Sequence, residues 1–179
     1  MKIKNMETRK PISHVVAGLL IAGIVMVLSM ATMLFTKSSG KPGSGIFNYI
    51  IIIGGLIYFI SLYSKSNDYQ VSFGDLFSYG FKATAVYTVL FIGFLILFAA
   101  LFPDFKTNAI ETARTQMETQ KGVTEDQMEK GLEIMEKYFW PIAIGGTTVM
   151  FVIIGAIGSL IGAAVAKKRP QNPFEQLPQ

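Results

Sequence analysis

Four runs of apolar residues, separated by short polar breaks and one long one, set the pattern of this chain. Residues 12–35 hold a single potentially charged side chain, His14; residues 46–63 carry no charge; residues 76–102 hold one cation, Lys82; residues 138–166 carry no charge. About 20 mainly apolar residues in a helix cross a hydrocarbon core of about 30 Å, so each run is long enough, the second only just. None shows the broad polar stripe of a soluble amphipathic helix. None alternates over about ten residues as a barrel strand would. The pattern predicts an all-α fold, a four-helix transmembrane bundle.

The long break, residues 103–137, exceeds the usual structureless connection. Thr124 followed by Gln127 reads as a capping box, with Val123 and Met128 as its hydrophobic staple. Met128, Leu132, Met135 and Phe139 then recur at helical spacing, with Glu125, Glu129, Glu133 and Glu136 mostly elsewhere on the surface. Upstream, Ile110, Ala113 and Met117 form a shorter stripe, and Lys121-Gly122 reads as a turn. These spacings predict a helical hairpin whose second helix runs into the fourth span. Its Met-bearing stripe is a candidate partner-binding surface, because methionine adapts to irregular contacts; the plainer reading packs the two stripes on each other or on the membrane surface.

Charge sets an orientation. Lys2, Lys4, Arg9 and Lys10 fill the tail 1–11, Lys65 lies between spans two and three, and Lys167, Lys168 and Arg169 open the tail 167–179. Positive residues collect on the cytoplasmic side, so both termini are expected there and the hairpin outside. Residues 103–137 carry eight acidic and five basic side chains, a balance opposite in sign to the net +4 of the whole chain. The first run outlasts the apolar region of a secretory signal, and Met33-Leu34-Phe35 is a poor cleavage site. An uncleaved first helix is expected.

In lipid, helices associate where small side chains let backbones approach. The last span carries Gly155, Ser159 and Ala163 at four-residue spacing, with Gly158, Gly162 and Ala166 beside them; Gly18 and Ala22 repeat the motif in the first. Such a ridge serves either a homo-oligomer or packing within one bundle, and the abundance of glycine in membrane helices favours the second.

Three polar residues stand out near the inner face: His14, Asp75 and Lys82. Ser72 with Asp75 marks a helix start at Phe73, which places Lys82 about 13 Å along that helix. Ionisable groups in a span point by default to an ion or proton path. A lysine near a helix end also snorkels at little cost, and Asp75 and Lys82, seven apart, are spaced for a structural pair. Tyr58 and Thr84 read as packing or helix-bonding groups.

Composition narrows the chemistry. Apolar residues make up 51% and charged ones only 16%, with Gly 17 and Phe 14, well below the charge of a soluble domain. Without cysteine there is no disulfide framework or thiolate site. One histidine cannot build the two-histidine metalloprotease motif, and no Gly-x-Ser-x-Gly elbow surrounds a serine. Neither catalytic residues, nor a metal site, nor a cofactor is expected, and the tails are too small for nucleic-acid binding. The expected partners are the lipid bilayer and either further copies of the chain or another membrane protein.

The order of features resembles domain-of-unknown-function family 4199, four-span bacterial membrane proteins mostly from Bacteroidota. The resemblance rests on Val-Ser-Phe-Gly-Asp-Leu-Phe at 71–77, Phe-Pro-Asp-Phe at 102–105 with the Met- and Glu-rich segment after it, and Gly-Ser-Leu-Ile-Gly-Ala-Ala-Val-Ala-Lys-Lys at 158–168. It implies a multi-pass protein of the bacterial inner membrane and transfers no catalytic or binding residues. The expectation is thus a non-enzymatic structural or assembly subunit acting through helix–helix and hairpin contacts. The alternative is a small transporter or channel with its polar group at the cytoplasmic mouth.

Overall fold

Inside a bilayer no water satisfies backbone groups, so a spanning segment must close its own hydrogen bonds as a helix. The computed structural model, which describes residues 11–36, 46–120 and 122–168, obeys this throughout. Its helices are α1 (His14–Thr36), α2 (Ile46–Ser66), α3 (Phe73–Leu101), α4 (Phe105–Thr119), α5 (Glu125–Lys137) and α6 (Phe139–Val165). Four of them, α1, α2, α3 and α6, are long and apolar enough to cross a membrane. The tails at 1–10 and 169–179, the connection 37–45 and Lys121 lie outside the described residues.

The four long helices form a ring in the order α1, α3, α6, α2, with α2 and α3 also touching across it and α1 and α6 at opposite corners. Side chains four residues apart supply the core: Ala17, Ile21 and Val25 from α1, and Ile52, Leu56 and Ile60 from α2. From α3 come Leu76, Ala83 and Tyr87, and from α6 Phe151 and Ala163. The opposite faces are exposed and just as apolar, among them Leu20, Ile24, Val89, Leu97, Val149 and Ile153. An apolar surface of that extent is untenable in water and is the complement of lipid tails. The chain is an integral membrane protein with four spans among the described residues.

Small residues set how closely the helices approach. A Cβ at Gly18 would lie 2.7 Å from Val86 Cβ and 2.8 Å from the Ala83 carbonyl, so α1 rests directly on the backbone of α3. On α6, Gly155 faces Thr84 and Ser159 faces Gly80, both of α3. Gly158 and Gly162 face Leu56 and Ile60 of α2, while Ala22 is buried at the corner of α1. The ridge on α6 is therefore turned into its own bundle. Thr84 and Thr88 return their hydroxyls to carbonyls four residues back, Gly80 at 3.0 Å and Thr84 at 2.8 Å. Tyr87 bridges the seam, donating to the Phe151 carbonyl at 3.1 Å.

Between the third and fourth spans α4 and α5 form the hairpin. Thr124 Oγ1 accepts from the Gln127 amide at 3.4 Å and Gln127 Oε1 from the Thr124 amide at 3.2 Å, so the capping box starts α5. Gly122, at φ +93°, takes the left-handed conformation that turns the chain between the helices. Leu132 and Phe139 are buried and Met128 and Met135 half-buried, while Met117 of α4 lies against Gly131. The stripe thus faces α4 and the root of the arm. That root is aromatic: Phe98 meets Phe102 and Phe105, and Phe105 meets Phe139.

α5 stops at Lys137 and α6 starts at Phe139, with Tyr138 (φ −112°, ψ 28°) as the joint. The cause is Pro141. It has no amide proton to give the Lys137 carbonyl, and its ring collides with that carbonyl in a continuous helix.

Candidate functional site

At the end of the bundle farthest from the hairpin, three helix ends converge. Ser13 accepts from the Val16 amide at 3.2 Å and so caps α1. Ser72 and Asp75 form the capping box of α3: Ser72 Oγ accepts from the Asp75 amide at 3.1 Å, and Asp75 Oδ2 accepts from the Ser72 amide at 3.0 Å and its hydroxyl at 2.7 Å. Between α2 and α3 the chain reverses through Asp68 (φ 52°) and Tyr69 (φ 64°), both left-handed. The Tyr69 amide reaches back to the Ser64 carbonyl at 2.9 Å, and Asn67 Nδ2 to the Tyr63 carbonyl at 2.8 Å. These bonds hold carbonyls that the end of α2 would otherwise leave bare.

An aromatic stack ties the ends together. Tyr63 of α2 lies on Tyr79 of α3 with ring centres 4.3 Å apart, and His14 of α1 meets Tyr79 edge-on at 6.4 Å. The Tyr79 hydroxyl donates to the Ile12 carbonyl at 2.9 Å. On the far side Lys168 donates to the Ala163 carbonyl at 2.7 Å and stands over the Phe73 ring, and Lys167 stands over Tyr69. Lys168 thus closes the end of α6, and Lys167 ties it to the turn between α2 and α3.

Against this stack opens a cleft of about 300 Å³, whose walls include His14, Asp75 and Lys82 together with Ser13, Ser78 and Tyr63. The structure brings together all three polar residues singled out near the inner face. It does not pair them. Asp75 is held by Ser72, and the one ion pair within 4.0 Å among the described residues is Arg114–Glu111 on the hairpin. The seven-residue spacing of Asp75 and Lys82 puts them on one face, but Ser72 is a nearer and more local partner for the carboxylate. Tyr63 and Tyr79 were legible only as interface aromatics; their stacking needed the antiparallel course of α2 and α3. Among the described residues no three histidine, aspartate or glutamate side chains gather as a metal site would require.

The sequence signatures sit on this frame. In 71–77, Val71 and Leu76 are buried and Ser72 and Asp75 make the cap, so that stretch builds the start of α3. In 158–168, Gly158 and Gly162 fit α2 and Lys168 folds back on the helix end. A family model described as "Protein of unknown function (DUF4199)" matches residues 17–168. The chain belongs to that family. No curated protein and no solved structure matches it. In this DUF4199 protein the matched segment runs from the second turn of α1 to the end of α6 and takes in Tyr63, Asp75, Tyr79 and Lys82, with His14 just ahead of it.

Proposed function

We propose that this protein is a non-enzymatic assembly subunit of the bacterial cytoplasmic membrane, with both termini cytoplasmic and the hairpin outside. The observation that carries the reading is the hairpin's own packing. α4 has no buried residue, packs chiefly on α5, and meets the bundle through Phe105 at its first position. Its remaining surface, and the acidic face of α5 with Glu125, Glu129, Glu133 and Glu136, is left to solvent. An ordered, charged arm on a lipid-embedded base is suited to contact with a partner, either another membrane protein or a further copy. The α6 ridge is not that contact, since α2 and α3 cover it.

Transport is supported less well. Beyond Lys82 the centre of the bundle is filled by Ala83, Ile21, Leu56 and Tyr87, all essentially inaccessible, and none of them lines the polar cleft.

The test replaces residues 106–136 with a short Gly-Ser linker, which the neighbouring Phe105 and Phe139 rings, 6.2 Å apart, allow to close. The bundle should stay folded in mild detergent while the native assembly extracted from membranes collapses to the mass of the bundle alone. An assembly reduced only by the deleted mass would count against the proposal.

A further inference from the structure

The cleft beside Tyr79 combines a cation and an anion at two depths, neither neutralising the other. α3 is 29 residues long, about 43 Å at 1.5 Å per residue, against a hydrocarbon core of about 30 Å. That excess of about 13 Å is enough to set its first turns among lipid headgroups. Asp75 lies in the first of these turns and Lys82 about 10 Å deeper on the same face. The lysine side chain leans toward the helix start and extends back to the level of the lipid phosphates. Among the described residues no carboxylate lies within 4.0 Å of Lys82. A charge within a span calls for a partner, and the group at that depth with the right sign is a phosphodiester.

The acid decides which phosphodiester. Both hydrogen bonds from Ser72 fall on Asp75 Oδ2, which leaves Oδ1 of this exposed side chain without a bond from Ser72. An ammonium on the water side of the phosphate would meet that oxygen, and a primary ammonium has protons for it and for the Ser78 hydroxyl. A purely anionic headgroup would meet a repelling carboxylate, and a quaternary ammonium would have no proton to donate. The stacked Tyr63 and Tyr79 form a flat wall beside the site. A volume of about 300 Å³ is at the small end of ligand cavities, enough for a headgroup whose acyl chains stay in the bilayer. We propose that this cleft binds the headgroup of an ethanolamine-type phospholipid, its phosphate on Lys82 and its ammonium on Asp75.

The experiment incorporates the full chain into nanodiscs of equimolar phosphatidylethanolamine and phosphatidylglycerol and reads retained lipid by native mass spectrometry. The wild type should keep one phosphatidylethanolamine in preference to phosphatidylglycerol. Lys82→Met should lower that retained fraction at least tenfold, and Lys82→Arg should preserve it. Asp75→Asn, which keeps a capping oxygen for Ser72, should bind phospholipid without preferring either headgroup. Equal retention of the two lipids by the wild type would overturn the assignment, as would an unaltered preference in Asp75→Asn. Should Lys82→Met fail to fold, Asp75→Asn and Lys82→Arg decide alone. Glycerophosphoethanolamine is added to lipid-free protein in detergent as a last arm. Binding there as strong as to the bilayer lipid would assign the cleft to a free phosphoamine and overturn the lipid source.

Discussion

Gly155 and Thr84 show what a single position does in this bundle. With hydrophobic drive weak between helices in lipid, contact depends on how closely backbones approach. A Cβ at Gly155 would come within 2.8 Å of Thr84 Cβ and nearer still to Cγ2 and Oγ1. Gly155→Ala should therefore lower stability by about 1–3 kcal/mol, seen as a fall in the thermal midpoint of detergent-solubilised protein. Adding Thr84→Ala should recover part of the loss, because two of the three clashing atoms go and one stays. A midpoint that does not move would mean α3 and α6 are not seated through this pair. The four-residue spacing of the ridge was legible in the sequence; its partner was not, because the same spacing serves contact within a chain and between chains. Asp75 and Lys82 illustrate a second limit: periodicity reports a shared face, while the local competition of Ser72 for the carboxylate appears only in three dimensions.

Individual helices were easiest to read where their starts are fixed by local hydrogen bonds. The Ser72–Asp75 and Thr124–Gln127 boxes begin α3 and α5 where the residues indicate. Removing the second by Thr124→Ala should cost about 1 kcal/mol. Hydrogen exchange should then quicken at the first amides of α5 and stay unchanged in α6; an unaffected α5 would show that packing on α4 holds its start instead. Helix ends were less legible. The second apolar run stops at Tyr63, yet α2 continues to Ser66, since Lys65 in its last turn suits the negative end of the helix dipole. The stripe from Met128 to Phe139 was visible as a pattern, but a pattern does not say which surface covers it. In the folded chain α4 and the aromatic root do so.

For the molecule as a whole, four spans among the described residues put the two ends of the bundle on one side, and the proposed orientation, read from the lysine and arginine distribution, makes that side the cytoplasm. Alkaline phosphatase fused after Gln179 should be inactive, and the same enzyme inserted at Gly122 should be active; the reverse pattern would invert the orientation. The fold class was legible because lipid leaves a spanning chain few choices. Specific binding was not, because the cleft draws on side chains from three helices that are distant in sequence. One feature spans the whole length of the protein. With only Tyr138 between the arm and the last span, there is no slack in which a tug on the arm could be lost. A partner that grips α5 would act on α6 as on a lever, one whose Gly155, Gly158 and Gly162 bear on α3 and α2. The far end of that lever is where Lys168 rests on Phe73.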